Sequence, residues 1–80
     1  MSSFRLRCKI PHGLDYHCRV AAVENAANLI RSNRSLFVRM VPTSGGVFCD
    51  LYLHGTDPPD PGEIFMLKTT GEEFTRQVVP

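Results

Sequence analysis

Strict alternation of apolar and charged residues marks the stretch that decides the fold, Phe4-Arg5-Leu6-Arg7-Cys8-Lys9-Ile10. Successive side chains of a β-strand point to opposite faces of a sheet, so a period of two predicts a strand with one buried face. Pro11 ends this strand, because proline has no N–H to donate to a neighbouring strand. His12-Gly13 then turns the chain.

Helical spacing replaces the alternation after this turn. Apolar residues recur three or four positions apart, and they are Val20, Val23, Ala26, Ala27 and Ile30. This period predicts an amphipathic helix over residues 16–31 that covers one face of the sheet. Asp15 is expected to be the N-cap or an anion in the first turn, where the helix dipole favours negative charge.

Two further strands are predicted in the middle of the chain. Residues that favour β-structure fill positions 36–41, and apolar residues alternate again over positions 47–53. Residues 42–46 between them have the composition of a turn, so the two strands should form a hairpin. We expect the strand at residues 4–10 to pair with strands near residues 36–41 and 63–69.

The final third is predicted from its prolines and from one capping pattern. Residues 55–62 are rich in Pro and Gly and are interpreted as a loop, with residues 63–69 as the last strand. Thr70 and Glu73 have capping-box spacing, which predicts a short final helix. The order β-α-β-β-loop-β-α predicts a single α+β domain over residues 1–80. It is an open-faced sandwich with a four-stranded, mostly antiparallel sheet and helices on one face.

Length and composition limit the class of protein. Eighty residues suit one domain, and 42% hydrophobic with 21% charged residues is ordinary globular usage. The sequence has no apolar run of membrane-spanning length, and its N-terminus lacks the apolar core of a signal peptide. Its three cysteines match neither a disulfide framework nor a zinc site. We therefore expect a cytoplasmic protein with reduced cysteines, no metal and no cofactor.

The densest polar cluster spans residues 12–19, at the predicted junction between the first strand and the helix. Free N–H groups at a helix N-terminus favour a phosphate or another anion. A histidine, which titrates near neutral pH, can accept a phosphoryl group at such a place. The other interpretation is that these histidines are ordinary surface residues, and the residues alone leave both open.

Several short stretches resemble one protein family. They are Ile10-Pro11-His12-Gly13-Leu14, the helical residues Ala21, Ala22, Val23 and Ala26, and the stretch from Gly62 to Glu73. Together they resemble the histidine-containing phosphocarrier protein (HPr) family of the bacterial phosphotransferase system. The resemblance implies an HPr-like fold. It also implies a carrier that takes phosphate from an enzyme I-like partner and passes it to sugar-transporter-like proteins.

The signature of that family, G-L-H-x-R-P-A, can be aligned with this sequence in two ways. Without gaps, Gly13-Leu14 sets Asp15 at the phosphohistidine position and His17 at the arginine position. With two inserted residues, His17 becomes the phosphoacceptor and Arg19 its phosphate support. The partner-binding residues are expected at the same junction: His12, Gly13, Leu14, Tyr16 and Val20. The resemblance implies at most a phosphoryl carrier, and the sequence carries no motif of an independent catalytic site.

A binding module of a different class is the alternative. The first half of the chain holds most of the cations, and a basic surface for nucleic acid or an acidic protein would use Arg5, Arg7, Lys9, Arg31 and Arg34. Phe4 and Phe37 are expected in the core, so no ring is expected to stack on bases, and nucleic acid is the less favoured partner. The short final helix would leave apolar surface uncovered, which allows the domain to form an oligomer.

Overall fold

The computed structural model describes residues 3–54 and 59–79, and these form four strands and two helices. The elements are β1 (Ser3–Pro11), α1 (Tyr16–Arg31), β2 (Leu36–Thr43), β3 (Gly46–His54), α2 (Pro61–Lys68) and β4 (Thr75–Val79). The strands make one antiparallel sheet in the order β2-β3-β1-β4. The predicted α+β open-faced sandwich is confirmed, with the element order of a split β-α-β unit.

The central position of β1 corrects one predicted pairing. β1 pairs with β3 and with β4, whereas β2 pairs with β3 along its whole length. The expectation that residues 4–10 pair directly with residues 36–41 was wrong. The two-residue turn at Ser44 and Gly45 folds β3 back against β2, and β3 then lies between β2 and β1.

Gly46 at the start of β3 is required by a close approach of two strands. A Cβ atom added there would overlap the carbonyl oxygen of Ile10 and would lie 2.7 Å from the Cα of Pro11. Because both neighbours are backbone atoms, they cannot move aside as a flexible side chain could. Glycine at this position therefore allows the end of β1 to pair with the hairpin.

The sequence predicts that residues 63–69 form the last strand. This prediction is wrong, because most of these residues belong to α2. Asp60 is the N-cap of this helix: its Oδ1 accepts a hydrogen bond from the Glu63 N–H at 2.8 Å. Glu63 Oε1 accepts one from the Asp60 N–H at 2.9 Å, which completes a capping box. Pro61 stands at the start of the helix, where its missing N–H costs nothing.

The predicted final helix after Thr70 is also wrong, because that segment ends α2 and leads into β4. Gly71 has a φ of +79°, a left-handed conformation typical of the residue just after a helix. Its N–H donates to the Lys68 carbonyl at 3.1 Å. The chain then runs extended, and β4 pairs with the first half of β1. The last two elements are thus a helix and then a strand.

The core lies between the sheet and the two helices. Both central strands contribute their inward residues to it, and α1 contributes Val23, Ala26, Ala27 and Ile30, as its period predicted. The inward residues of the central strands are Leu6, Cys8, Ile10, Val47, Cys49, Leu51 and Leu53. The helices cover this one face, so the residues of opposite parity form a second, uncovered face. Neither helix formed by the described residues is long and apolar enough to cross a membrane.

Candidate functional site

The first candidate region is the junction between β1 and α1. Asp15 occupies the N-cap position of α1, but its side chain makes no capping hydrogen bond. His12 and His17 both lie next to the Tyr16 ring, with ring centroids 4.9 Å and 5.3 Å from it. Both histidines are exposed, so the structure brings two imidazoles to the start of a helix of sixteen residues.

Arg19 is turned away from the histidines and toward the chain that precedes β4. Its Nε and Nη2 donate to the two carboxylate oxygens of Glu72 at 2.6 Å and 2.7 Å. The Glu72 side chain is 5% exposed, so this bidentate pair is well shielded from solvent. Asp15 Oδ1 lies 4.0 Å from the Arg19 Nη1. Arg19 therefore joins two parts of the fold, and supporting a phosphate on His17 would require it to leave Glu72.

The remaining residues expected to bind a partner at this junction divide into two groups. His12, Gly13 and Leu14 are exposed, and Leu14 extends fully into solvent. Tyr16 and Val20 are partly buried and pack against the core. The junction thus offers an exposed tip of three residues in addition to His17, while Val20 serves the packing of α1.

The second candidate region is the uncovered face of the sheet, which we call the open face. Its residues alternate with core residues along each strand, and the strand register sets them side by side. They are Arg5, Arg7 and Lys9 on β1; Phe37, Arg39 and Val41 on β2; Phe48, Asp50 and Tyr52 on β3; and Thr75 and Gln77 on β4. The described part of this face therefore combines four cations with three aromatic rings and one carboxylate.

The aromatic residues of the open face correct an expectation about the core. Phe37 was expected to be buried, but its side chain is 64% exposed, because the inward positions of β2 belong to Leu36 and Val38. The Phe37 ring centroid lies 6.1 Å from that of Tyr52 on the neighbouring strand. Phe48 lies two rows away from this pair, beyond the row of Asp50, and the Arg7 guanidinium is 4.8 Å from its ring centroid. Arg7 therefore stacks on an aromatic ring.

Asp50 is the single carboxylate among the described residues of the open face, and it is fully buried beneath its neighbours. Arg7 donates from Nε to Oδ1 at 2.6 Å and from Nη2 to Oδ2 at 2.9 Å. These hydrogen bonds, together with the charges of Arg7, Arg5 and Arg39, outweigh desolvation and lower the pKa of Asp50. Asp50 thus stays ionised and holds Arg7 across the Phe48 ring.

The cations of the open face differ in how firmly they are held. Arg5 is hydrogen-bonded to the side-chain oxygen of Gln77 on β4, and Arg7 is paired with Asp50. Lys9 and Arg39 are exposed, and neither makes a hydrogen bond or an ion pair with another described residue. The Lys9 ammonium lies 5.8 Å from the Phe48 ring centroid. These two cations flank the Arg7–Asp50 pair and can meet an anion without breaking a hydrogen bond or an ion pair.

The basic residues proposed from the sequence for the alternative function do not all meet on one surface. Arg5, Arg7 and Lys9 lie on the open face, as their alternation indicated. Arg31 instead donates to the Leu36 carbonyl at 3.2 Å, and Arg34 lies 3.3 Å from the Glu63 carboxylate. Sequence reasoning missed Arg39, although its position two residues after Phe37 places both side chains on one face of β2.

Comparison with known proteins identifies no relative. No family model matches this chain, and no curated protein or solved structure matches it either. The described residues also contain no cluster of His, Cys, Asp and Glu that could hold a metal ion. Proposals about its function therefore depend on the geometry, charge and burial of its own residues.

Proposed function

We propose that this protein binds single-stranded nucleic acid on the open face. The observation that carries the proposal is the interleaving of aromatic rings and cations on one uncovered sheet face. Bases that are freed from a duplex stack on aromatic side chains, and phosphates are attracted by Lys and Arg. A four-stranded sheet whose aromatic residues stack bases is an established way to recognise single-stranded RNA.

The residues of the open face suggest how the two chemical parts of a nucleotide chain would be held. Phe37 and Tyr52 form an adjacent pair of rings, of which Phe37 is the more accessible. Lys9 and Arg39 lie on opposite sides of the Arg7–Asp50 pair and have free side-chain donors. We infer that bases stack on Phe37 and Tyr52 while phosphates approach Lys9 and Arg39. An acidic protein would need the cations but would not need the rings.

Fluorescence anisotropy with labelled oligouridine and oligothymidine of about ten nucleotides tests this proposal. We expect binding that weakens as salt rises and that is lost in the Lys9→Gln/Arg39→Gln variant. Phe37→Ala should weaken binding about tenfold, because stacking on one ring contributes about 1–3 kcal/mol. Lys68→Gln, which removes an exposed cation on α2, is the matched control and should bind as the wild type does.

Two results would contradict the proposal. One is the absence of binding to both probes at low salt by a folded protein. The other is binding that Phe37→Ala leaves unchanged, since it would reflect charge alone and would favour an acidic protein as the partner. A difference between the two probes would not contradict the proposal, but would indicate whether the ribose hydroxyl contributes.

A phosphoryl carrier of the phosphotransferase system is the second candidate, with the enzyme I-like and sugar-transporter-like partners that the HPr resemblance implies. The observation that favours it is the exposed pair His12 and His17 at the start of α1, beside an Asp15 whose side chain caps none of the first-turn N–H groups. Such N–H groups favour a bound phosphate. The Arg19–Glu72 pair stands against it, because the expected supporting arginine is already engaged.

Incubation with enzyme I and labelled phosphoenolpyruvate distinguishes the two alignments of the carrier signature. If His17 is the acceptor, an acid-labile label forms on the wild type and on His12→Ala but not on His17→Ala. If Asp15 holds the acceptor position, no stable label forms, and enzyme I shifts the NMR signals of residues 12–20 without phosphate transfer. The carrier function is rejected if the protein neither accepts the label nor responds to enzyme I.

A further inference from the structure

β2 is an edge strand whose outer side has no neighbour among the described residues. The His54 N–H donates to the Ser35 carbonyl at 3.4 Å, which fixes the phase of the ladder between β2 and β3. Odd-numbered residues of β2 therefore bond to β3, while Leu36, Val38 and Met40 direct their N–H and C=O groups outward. Unpaired backbone groups of this kind are a template for another strand.

We propose that this edge pairs with the same edge of a second copy of the chain. The two β2 strands run antiparallel about a two-fold axis at Val38, which joins the two sheets into one of eight strands. A two-fold contact of this kind is self-complementary, so each residue on one side of the axis meets its counterpart from the other side. Two β2 strands in this arrangement are complementary in charge and shape on both sides of the sheet.

The side chains of β2 are complementary in this register. With Val38 opposite Val38 of the second copy, Leu36 lies opposite Met40, and Phe37 lies opposite Arg39. Apolar residues then meet on the covered side, and each arginine meets an aromatic ring on the open face, an arrangement that is attractive. A shift that centred the axis on Arg39 would place two arginines opposite each other, which is destabilising.

The helix above this edge favours the same axis independently. A shallow cleft at the edge is lined by Glu24, Ala27, Asn28, Arg31 and Val38. Glu24 and Arg31 are seven residues apart, or about two helical turns, and Val38 lines the same cleft as both of them. A two-fold axis at Val38 directs Glu24 of each copy toward Arg31 of the other. Two opposite-charge pairs therefore reinforce the strand register.

A proline limits how far the two β2 strands can pair. Pro42 occupies the next outward position after Met40 and has no N–H, so the paired segment is limited to residues 36–40. The Leu36 carbonyl already accepts a hydrogen bond from Arg31 Nε at 3.2 Å, and a carbonyl oxygen has a second lone pair for the new strand. The dimer would also extend the open face, because Arg39 of the second copy would lie beside Phe37.

Sedimentation velocity over a range of protein concentrations tests the dimer. We expect a monomer–dimer equilibrium that Val38→Pro weakens about tenfold or more, because this change removes two hydrogen bonds across the axis. The Val38 N–H points outward, so proline there leaves the ladder to β3 intact, as circular dichroism should verify. If Val38→Pro does not fold, the concentration dependence of hydrogen exchange gives the same test, since the Val38 and Met40 amides should be protected in the dimer.

Charge reversal distinguishes this dimer from any other. Glu24→Arg and Arg31→Glu should each weaken association, whereas the double variant should restore it, because the pairs form again with opposite polarity. Lys68→Glu on α2 is the control and should associate as the wild type does. The proposal is overturned if the wild type stays monomeric at every concentration. It is also overturned if a dimer persists in Val38→Pro, or if the double charge reversal fails to restore association.

Discussion

The two faces of the sheet are built from alternate residues of the same strands, yet their chemistry differs completely. On β3 the inward residues Cys49 and Leu51 are fully buried beneath the helices, while Phe48 and Tyr52 point outward on the open face. Between residues 4 and 10 of β1 the inward residues are apolar or cysteine, and the outward ones are cations. Core packing and the proposed binding surface therefore use alternate residues of the same strands. Two adjacent residues of a strand therefore lie on opposite faces, and substitutions at them should affect different properties.

The strongest test of this difference is a charge placed on the covered side. Val23 on α1 is fully buried, and Val23→Asp would leave a carboxylate without a partner in the core. We expect this variant to lose cooperative unfolding, since a small domain has a stability of only about 5–15 kcal/mol. Ala21→Asp on the exposed side of the same helix is the control and should unfold as the wild type does. Similar melting curves for both variants would contradict the assignment of the covered side.

Adjacent residues of β3 provide the next test. Leu51→Ala should reduce the free energy of unfolding by about 3 kcal/mol, because Leu51 is completely buried and its loss leaves a cavity. Tyr52→Ala should reduce it by only about 1 kcal/mol, because that side chain is half-buried on the open face. Urea denaturation of the two variants measures both values. Equal losses would mean that the open face contributes to stability as the core does.

The elements with a clear hydrophobic period were predictable from the sequence. Alternation in β1 and β3 and the three-to-four spacing in α1 each have one interpretation, and these elements are confirmed. The run from Ile64 to Leu67 has no period, because four consecutive apolar residues fit a buried strand as well as a helix. The sequence predicts a strand for this run, but the run belongs to α2.

Two pairs of residues near the end of the chain have the spacing of a capping box, and only one of them caps a helix. Asp60 and Glu63 form the real box, and Pro61 after the cap was the signal that favoured it. Thr70 and Glu73 have the same spacing, but Gly71 between them adopts a positive φ and ends α2. Spacing alone could not separate a helix that starts from a helix that has just ended.

The open face was only partly predictable for a related reason. The charges of β1 were visible as a pattern, but their neighbours come from β2 and β3. Which residues lie side by side depends on the strand register, which the turn at Ser44 and Gly45 sets. Phe37 and Arg39 therefore join the basic residues of β1 only after folding, and no short sequence motif predicts that they lie on the same surface.

Salt dependence sharpens the proposed role of the exposed cations. Each phosphate contact that is lost should reduce the slope of log K against log salt by about 0.7 on a single strand. We expect this reduction from Lys9→Gln, because the Lys9 ammonium is exposed and has no ion-pair partner among the described residues. Lys68→Gln should leave the slope unchanged. Binding isotherms at several salt concentrations measure it, and equal slopes for the wild type and Lys9→Gln would remove Lys9 from the interface.

The smallest expected effect concerns the pH dependence of stability. Arg7 lowers the pKa of Asp50 in the folded protein below that of an unfolded aspartate, which is about 3.9. The unfolded chain therefore takes up the proton first as the pH falls. The stability that the pair contributes is fully present above about pH 4 and is lost as the pH drops through the folded pKa. We expect the free energy of unfolding to decrease more steeply below about pH 4 in the wild type than in Asp50→Asn.

Urea titrations at several pH values give these slopes, and Glu73→Gln supplies the control because Glu73 is an exposed carboxylate. If Asp50 holds Arg7 across Phe48 as the structure indicates, only Asp50→Asn should flatten the acid slope, and Glu73→Gln should follow the wild type. Asp50→Asn also tests the proposed binding of nucleic acid on the open face. Asp50→Asn removes its single negative charge, so oligonucleotide binding should strengthen as stability at neutral pH falls. Parallel acid slopes for the wild type and Asp50→Asn would show that the Arg7–Asp50 pair contributes nothing to folding.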